Sequence, residues 1–531
     1  MNNILYYGGP ILTMADPLYV EAVLIQKGKI VCCGPLEQVE AQADAETQRI
    51  DLQGRTLMPS FIDPHGHLSH VADAQAYADL SGCTTMEELG QRLVEWVRQN
   101  QVEKGRWVIG RGYDHNDLPG GQHPTAALLD AFLPDHPELL SHTTGHMGVV
   151  NTRGLRELGI SSDTPDPAGG HIGRDAQGCL TGYLEENALI LRTRQIPRPT
   201  TEERLKNLAK AQQLYLSYGI TTCQDGKVGA ADFDFLCQAA KSGALQLDTV
   251  AYADMQNNEE LLQEQASYRN YQRNLRLGGY KIFLDGSPQG RTAWMSKPYL
   301  GGRPDYRGYP IYTDDAVRQF CETALRNNVQ LLAHCNGDAA CAQYLAALDA
   351  AAREGVDLAA LRPVMIHAQL LGRDQLPEVR QLGVIPSFFV AHVYHWGDVH
   401  LENLGPGRAE AISPAGSAAE QGIPFTFHQD APVIRPDMLE TVWCAVNRVT
   451  RQGRVLGREE RVDVRTALEA VTVHAAYQYF EETDKGTLAP GKQADLVILD
   501  RDPLAVPQEE LRDIRVLETW KDGVPIFCRE A

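Results

Sequence analysis

The segment Phe61-Ile62-Asp63-Pro64-His65-Gly66-His67 sets two imidazoles two residues apart at the close of an apolar run. On an extended strand, residues i and i+2 face the same way, so both rings reach one space. Imidazole nitrogen is a good ligand for Zn²⁺, and other divalent metals also accept it. Three later segments repeat the placement: His334 ends LLAH, His367 ends PVMIH, and Asp430 ends PFTFHQD. Singly, each reads as a polar strand end in a surface turn. Jointly, four histidines and one aspartate at the ends of separate strands would converge at one barrel mouth. The expectation is a metal ligand set with room left for water.

Lys281 lies inside the apolar run GYKIFLDGS. A lysine there is costly unless its charge is paired or removed. Two readings stand level. In one, burial lowers its pKa and the neutral amine takes up CO2, giving a bidentate carbamate that bridges two cations. In the other, Lys281 pairs with Asp285 on the same strand face. His428, two residues before Asp430, either orients substrate or is a satisfied core histidine. His392 and His395, in FFVAHVYHWGD, fall at the expected end of the seventh strand, where substrate contact and a solvated loop are equally open. Trp294 and Tyr113 read as packing residues. No GxGxxG element or P-loop stands between a strand and a helix, and no GxSxG elbow occurs, so nucleotide cofactors and a serine nucleophile are not indicated.

Such side chains need a scaffold that brings strand ends together. Between the termini, apolar strand-like runs alternate with helix-like stretches, as in a parallel α/β fold. Eight runs qualify as strands: LMPSFIDPH, GITTCQD, TVAYADM, GYKIFLDG, VQLLAHC, PVMIHA, GVIPSFFV and IPFTFHQD. The expectation is a (β/α)8 TIM barrel over residues 58–479. Residues 1–57 and 480–531 carry short strands and turns, and predict one small β-sandwich domain built from both termini. Residues 71–200, rich in Gly, Asp and His, interrupt the repeat after the first barrel strand. They predict an inserted subdomain over the active site.

A net charge of −20 over 531 residues disfavours nucleic acid and anionic lipid as partners, and 43% hydrophobic residues suffice for a large core. The N-terminus shows no signal-peptide pattern and no apolar run reaches membrane-spanning length. Eleven scattered cysteines with no CxxC pair read as reduced thiols, and the expected location is cytoplasmic.

The order His-x-His, Lys, His, His, Asp resembles the amidohydrolase superfamily. The likeness runs over nearly the whole chain to its YtcJ-like branch, amidohydrolase family 3, which includes N-substituted formamide deformylase. Segments that carry it include MPSFIDPHGH, RGYDHNDLPGGQHPT, TTGHMGVVN, YKIFLDGSPQGRTA, AHCNGDAA, MIHAQL, HQDAPV and GTLAPGKQADLVILDRDP. Ser60 departs from the family's usual Gly, and Gln429 from its Ser or Gly; neither removes a ligand.

The resemblance implies that His65, His67 and Asp430 hold the more buried metal, His334 and His367 the second, and a carboxylated Lys281 bridges them. One or two zinc ions are implied, other divalent metals being possible. His146 and Arg291 lie in family-like motifs and are expected to line the pocket, with a structural salt bridge as the other reading of Arg291. The implied activity is hydrolysis of a non-peptide C–N bond in a small molecule, an amide of the N-substituted formamide kind, by metal-bound hydroxide with Asp430 moving the proton. Deamination or cyclic amide opening on the same barrel, or a catalytically silent binding or scaffold role, are the alternatives. A homo-oligomer is open.

Overall fold

The computed structural model describes residues 3–143, 146–197, 199–301, 304–353 and 357–530. It divides into two compact units: Met1–Val71 with Leu208–Ala531, and Ala72–Asn207.

The first unit is organised by eight strands: β1 (Phe61–Ile62), β2 (Ile220–Val228), β3 (Asp248–Asp254), β4 (Leu275–Phe283), β5 (Gln330–Cys335), β6 (Val364–His367), β7 (Ile385–Phe388) and β8 (Thr426–Phe427). Each pairs in parallel with its neighbours, in chain order. Every residue of β3 and β5 is buried, which is why these strands read as continuous apolar runs rather than alternating ones. The sheet curls. His67 N–H donates to the Ala431 carbonyl at 2.9 Å, so the segments after the first and last strands lie side by side.

Helices alternate with these strands. The helix Asp314–Arg326 is capped by Thr313, whose hydroxyl accepts from Ala316 N–H, with Asp314 and Asp315 in its first turn and Arg326 in its last. Those charges complement the helix dipole.

The run LMPSFIDPH does not form one strand. Thr56–Pro59 pairs antiparallel with Leu496–Leu499 in a second sheet, and only Phe61–Ile62 joins the parallel one. Ser60 is the crossing point: its N–H donates to the Asp495 carbonyl at 3.0 Å, and its hydroxyl meets that of Thr221 at 2.6 Å. The family's usual Gly would lack that hydroxyl. This second sheet takes strands from both chain ends: Ile4–Leu12, Tyr19–Gln26, Lys29–Gly34, Gln48–Asp51 and Thr56–Pro59, then Leu496–Leu499, Val516–Lys521 and Val524–Cys528. Ile11, Val23, Leu57, Leu496 and Ile498 are among the residues of its core.

The unit Ala72–Asn207 carries its own six-stranded mixed sheet. Ala78–Asp79, Val108–Tyr113 and Glu138–His142 run parallel, while Met147–Val150, Leu180–Glu186 and Gly170–Arg174 extend it antiparallel. Helices Met86–Asn100 and Ala126–Phe132 pack Leu89, Leu93 and Leu129 into a core with Val108, Leu140 and Val149. Among the described residues no helix is long and apolar enough to cross a membrane.

Candidate metal centre

His65 and His67 follow β1 by a few residues, and each ring is fixed through its Nδ1. His65 Nδ1 lies 2.6 Å from Gln224 Oε1, and His67 Nδ1 lies 2.8 Å from the Gly226 carbonyl. The Gln224 amide cannot be reversed without loss, because its Nε2 donates to the Pro64 carbonyl at 2.8 Å. Both partners of the imidazoles are therefore acceptors, both Nδ1 atoms carry the proton, and both Nε2 atoms keep a lone pair. Each of those Nε2 atoms stands 3.2 Å from the same oxygen, Asp430 Oδ1. That oxygen receives no hydrogen bond among the described residues. Three lone pairs facing one another in a buried space repel unless a cation lies among them, so this donor set fits a divalent metal.

Electrostatics agree. Burial alone raises a carboxyl, yet positive charge on the side of His65 and His67, whether a proton on the rings or a metal ion between them, holds Asp430 well below the usual carboxylate range. Burial, then the charge of Lys281, pushes His65 down to about 4, which keeps it a neutral ligand. Burial also works against charge on His67, but Asp430 raises it, an attraction for positive charge that a metal ion answers as well as a proton does. Asp63, close by in the same motif, is pushed up to about 8 by burial. Asp430 and His367 sit at φ of 55° and 70°, a left-handed backbone uncommon for such residues. That strain belongs with positions whose side-chain direction matters.

His367, the last residue of β6, brings its Nε2 to 3.9 Å from Asp430 Oδ2. Its Nδ1 is 3.1 Å from His428 Nε2, and His428 Nδ1 is 2.9 Å from the Ser387 hydroxyl. A relay of bonds thus orients His367, and His428 is a bonded core histidine that positions a neighbour. His334, in β5, packs edge-on against His367 with ring centroids 4.5 Å apart. Its Nδ1 is 3.3 Å from Asp285 Oδ1.

Lys281 is fully buried in β4. It does not pair with Asp285. The two oxygens of Asp285 accept from Asn336 N–H at 2.9 Å, Trp294 N–H at 2.9 Å and Gly337 N–H at 2.7 Å. Lys281 Nζ has no hydrogen-bond partner among the described residues, and burial pushes its ammonium down to about 7.

The other residues singled out from the sequence have partners of their own. His392 opens the helix His392–Leu404 and is buried rather than in a loop, with Nδ1 3.1 Å from His400 Nε2. His395 lies on the same helix, bonded to Glu440 at 3.0 Å and to Arg451 at 3.0 Å. Arg291 donates from Nε to Asn403 Oδ1 at 2.7 Å. His146 belongs to the unit Ala72–Asn207, where it is exposed with Nδ1 3.2 Å from Glu186. Gln429 is committed to the chain beyond it, donating to the Asp437 carbonyl at 2.9 Å and to the Thr441 hydroxyl.

Sequence reading missed the partners that orient the ligands: Gln224, the Gly226 carbonyl and Ser387. The signal for Gln224 was its place, with Asp225, at the end of the run GITTCQD. Asp225 also accepts from the Ser69 hydroxyl at 3.1 Å, tying β2 to the segment after His67.

The sequence pattern of the amidohydrolase family matches residues 48–527. YtcJ of Bacillus subtilis (strain 168), named only provisionally as an amidohydrolase, is 27% identical over 98% of this chain and 99% of its own. N-substituted formamide deformylase of Arthrobacter pascens is 27% identical, covering 95% of this chain and 94% of its own. The crystal structure of an uncharacterized metal-dependent hydrolase from Pyrococcus horikoshii OT3 superposes with a TM-score of 0.75 at 27% identity, over 95% of this chain and 99% of its own.

Proposed function

The chain belongs to the amidohydrolase family, and from that premise we propose that it is a metal-dependent hydrolase of a non-peptide C–N bond, an amide of the N-substituted formamide class. The observation that carries this reading is the convergence of His65 Nε2, His67 Nε2 and Asp430 Oδ1, with both ring protons committed at Nδ1. Similarity to the Arthrobacter deformylase supports the bond type. We read the eight parallel strands as a (β/α)8 barrel whose strand ends carry the ligands, the usual place for chemistry in that fold.

Zinc suits the N/O donor set and a reaction without redox. His65, His67 and Asp430 would hold one ion, with His334 and His367 beside a second. Bound there, zinc supplies a water acidified to a pKa of about 7 and a Lewis acid for the substrate carbonyl. The chain's own residues do the rest. Asp430 Oδ1 faces the two Nε2 lone pairs and would be spent on the ion, so Oδ2 is the oxygen left to accept the water proton and return it to the departing nitrogen. The neutral Lys281 amine adds to CO2: a bond forms from Nζ to carbon, one proton leaves Nζ for solvent, and the product is a carbamate anion able to bridge two cations. Gln224, Gly226 and the His428–Ser387 relay hold the imidazoles in place. The substrate is a small molecule and the protein acts in the cytoplasm.

The test is turnover by metal-replete protein on N-formyl amines, N-acyl amino acids, cyclic ureas and lactams. Selective cleavage of N-formyl amines is expected. Preference for ring opening would move the assignment to a cyclic amidohydrolase. Metal-loaded protein that turns over none of these classes would overturn the reading.

A further inference from the structure

The unit Ala72–Asn207 contains a second cluster of ligand-type side chains, built on two neighbouring parallel strands. Val108–Tyr113 and Glu138–His142 run side by side, and their register sets Tyr113 opposite His142. Immediately after Tyr113 the chain turns through Asp114 into the short helical turn His115–Asp117. The turn is pinned by Asp114 Oδ1, which accepts from Asn116 N–H and from Asn116 Nδ2, each at 2.9 Å. Asp114, His115 and His142 therefore meet at one edge of the sheet for reasons of register, not chance.

Their ligand atoms are close together. His115 Nδ1 is 3.0 Å from His142 Nε2, His142 Nε2 is 3.4 Å from Asp114 Oδ1, and His115 Nδ1 is 3.7 Å from Asp114 Oδ1. Donors bonded to a tetrahedral zinc at ~2.0–2.1 Å lie about 3.3 Å from one another. The three separations straddle that value, and the Nε2–Oδ1 distances at His65 and His67 are both 3.2 Å. The surroundings hold the rings still. His123 stacks on His115 at 4.2 Å, the Tyr113 hydroxyl is 3.0 Å from His123 Nδ1, and the Tyr113 ring packs edge-on to His142 at 5.2 Å. Burial is graded: the side chain of His142 is 3% exposed, whereas His115 is 27% and Asp114 33% exposed, so solvent reaches one side.

We propose that Asp114, His115 and His142 form a separate site for a divalent transition-metal ion of the zinc type. The two imidazoles and the carboxylate supply three ligands, and the exposed side supplies water as a fourth. Binding needs no net loss of protons from the rings. A neutral His115 that shares its Nδ1 proton with His142 Nε2 moves it to Nε2, and both lone pairs then face the ion.

Co²⁺ is the probe, because its visible absorption reports an N/O ligand set. In the full-length chain with His65→Ala, His67→Ala, His334→Ala and His367→Ala, which removes the imidazoles assigned to both ions of the first centre, one equivalent of Co²⁺ should still bind. Adding His115→Ala or Asp114→Asn, both at partly exposed positions, should weaken that binding at least ~10-fold, the scale on which even outer-shell losses act. If the chain without those four histidines does not fold, total metal in the otherwise native protein decides: His115→Ala should lose one equivalent. The proposal is overturned if the folded chain lacking His65, His67, His334 and His367 takes up no Co²⁺ at micromolar concentration. Uptake indifferent to His115→Ala and Asp114→Asn overturns it equally, since a hydrogen bond between His115 and His142 then accounts for the cluster.

Discussion

Lys281 and Lys485 are both buried in the same unit, and they are treated in opposite ways. Lys485 lies at the end of the sheet where strands begin. Its ammonium donates to Asp248 Oδ2 at 2.6 Å and to the Thr222 hydroxyl at 3.0 Å, with Glu481 at 2.8 Å. Lys521 joins Asp248 there at 2.8 Å. Although burial works against its charge, these carboxylates raise the Lys485 ammonium above its usual range. Lys281 lies near the opposite ends of the strands, without a hydrogen-bond partner among the described residues, and is pushed down to about 7. A buried lysine kept for stability is given partners, because an unpaired buried charge costs several kcal/mol. Lys281, left without such partners and with its ammonium pushed down, is a stability cost and for that reason a candidate for a functional role.

That contrast can be broken from either side. The largest expected effect is on stability: Lys485→Met should cost ~3–5 kcal/mol, the usual consequence of removing one partner from a buried ion network. Chemical denaturation should show it, while metal per folded chain stays unchanged. A wild-type midpoint would mean that the network contributes nothing. Next, Asp430→Asn should leave the fold intact and lower kcat on an N-formyl amine by at least ~10²-fold, measured with metal supplied. Near-native turnover would remove Asp430 from the role of proton carrier.

Lys281→Met should act in the reverse sense to Lys485→Met. It should lower metal content and turnover, yet stabilise the metal-free protein at neutral pH. The upper bound on that gain is about 1.4 kcal/mol for every tenfold by which folding weakens proton binding at Nζ. The sign follows from linkage. With a folded pKa near 7 against an ordinary 10.5, the unfolded chain holds the extra proton between those values. The penalty on the folded state grows as pH falls from 10.5 to 7, and is complete below 7. Lys485 has its folded pKa raised, so its contribution is fully present below about 10.5 and is lost only as pH rises through the higher value. Denaturation midpoints of metal-free wild type and both variants from about pH 6 to about pH 10 measure the two slopes; a Lys281→Met variant less stable at neutral pH contradicts the first. The smallest effect expected is from Gln224→Ala, which frees the His65 ring and should weaken metal binding ~10–100-fold by titration.

The candidate ligands could be picked out in the sequence because metal ligands must be particular atoms, and strand ends show as polar residues closing apolar runs. His65, His67 and Asp430 could be named in that way, and the parallel α/β alternation could be read from period and length. Three matters needed the tertiary structure. Whether Lys281 was paired with Asp285 depended on where three backbone N–H groups from other segments pointed, and they take Asp285. The split of LMPSFIDPH between two sheets was hidden because both halves are apolar and buried, and pairing partners are set by distant strands. His428 could be placed on the face of Asp430, but not that it bonds His367, which lies 61 positions earlier in the chain. Local sequence fixes what a side chain can do and which way its strand faces, whereas the partner that decides its proton and its orientation is brought up by packing.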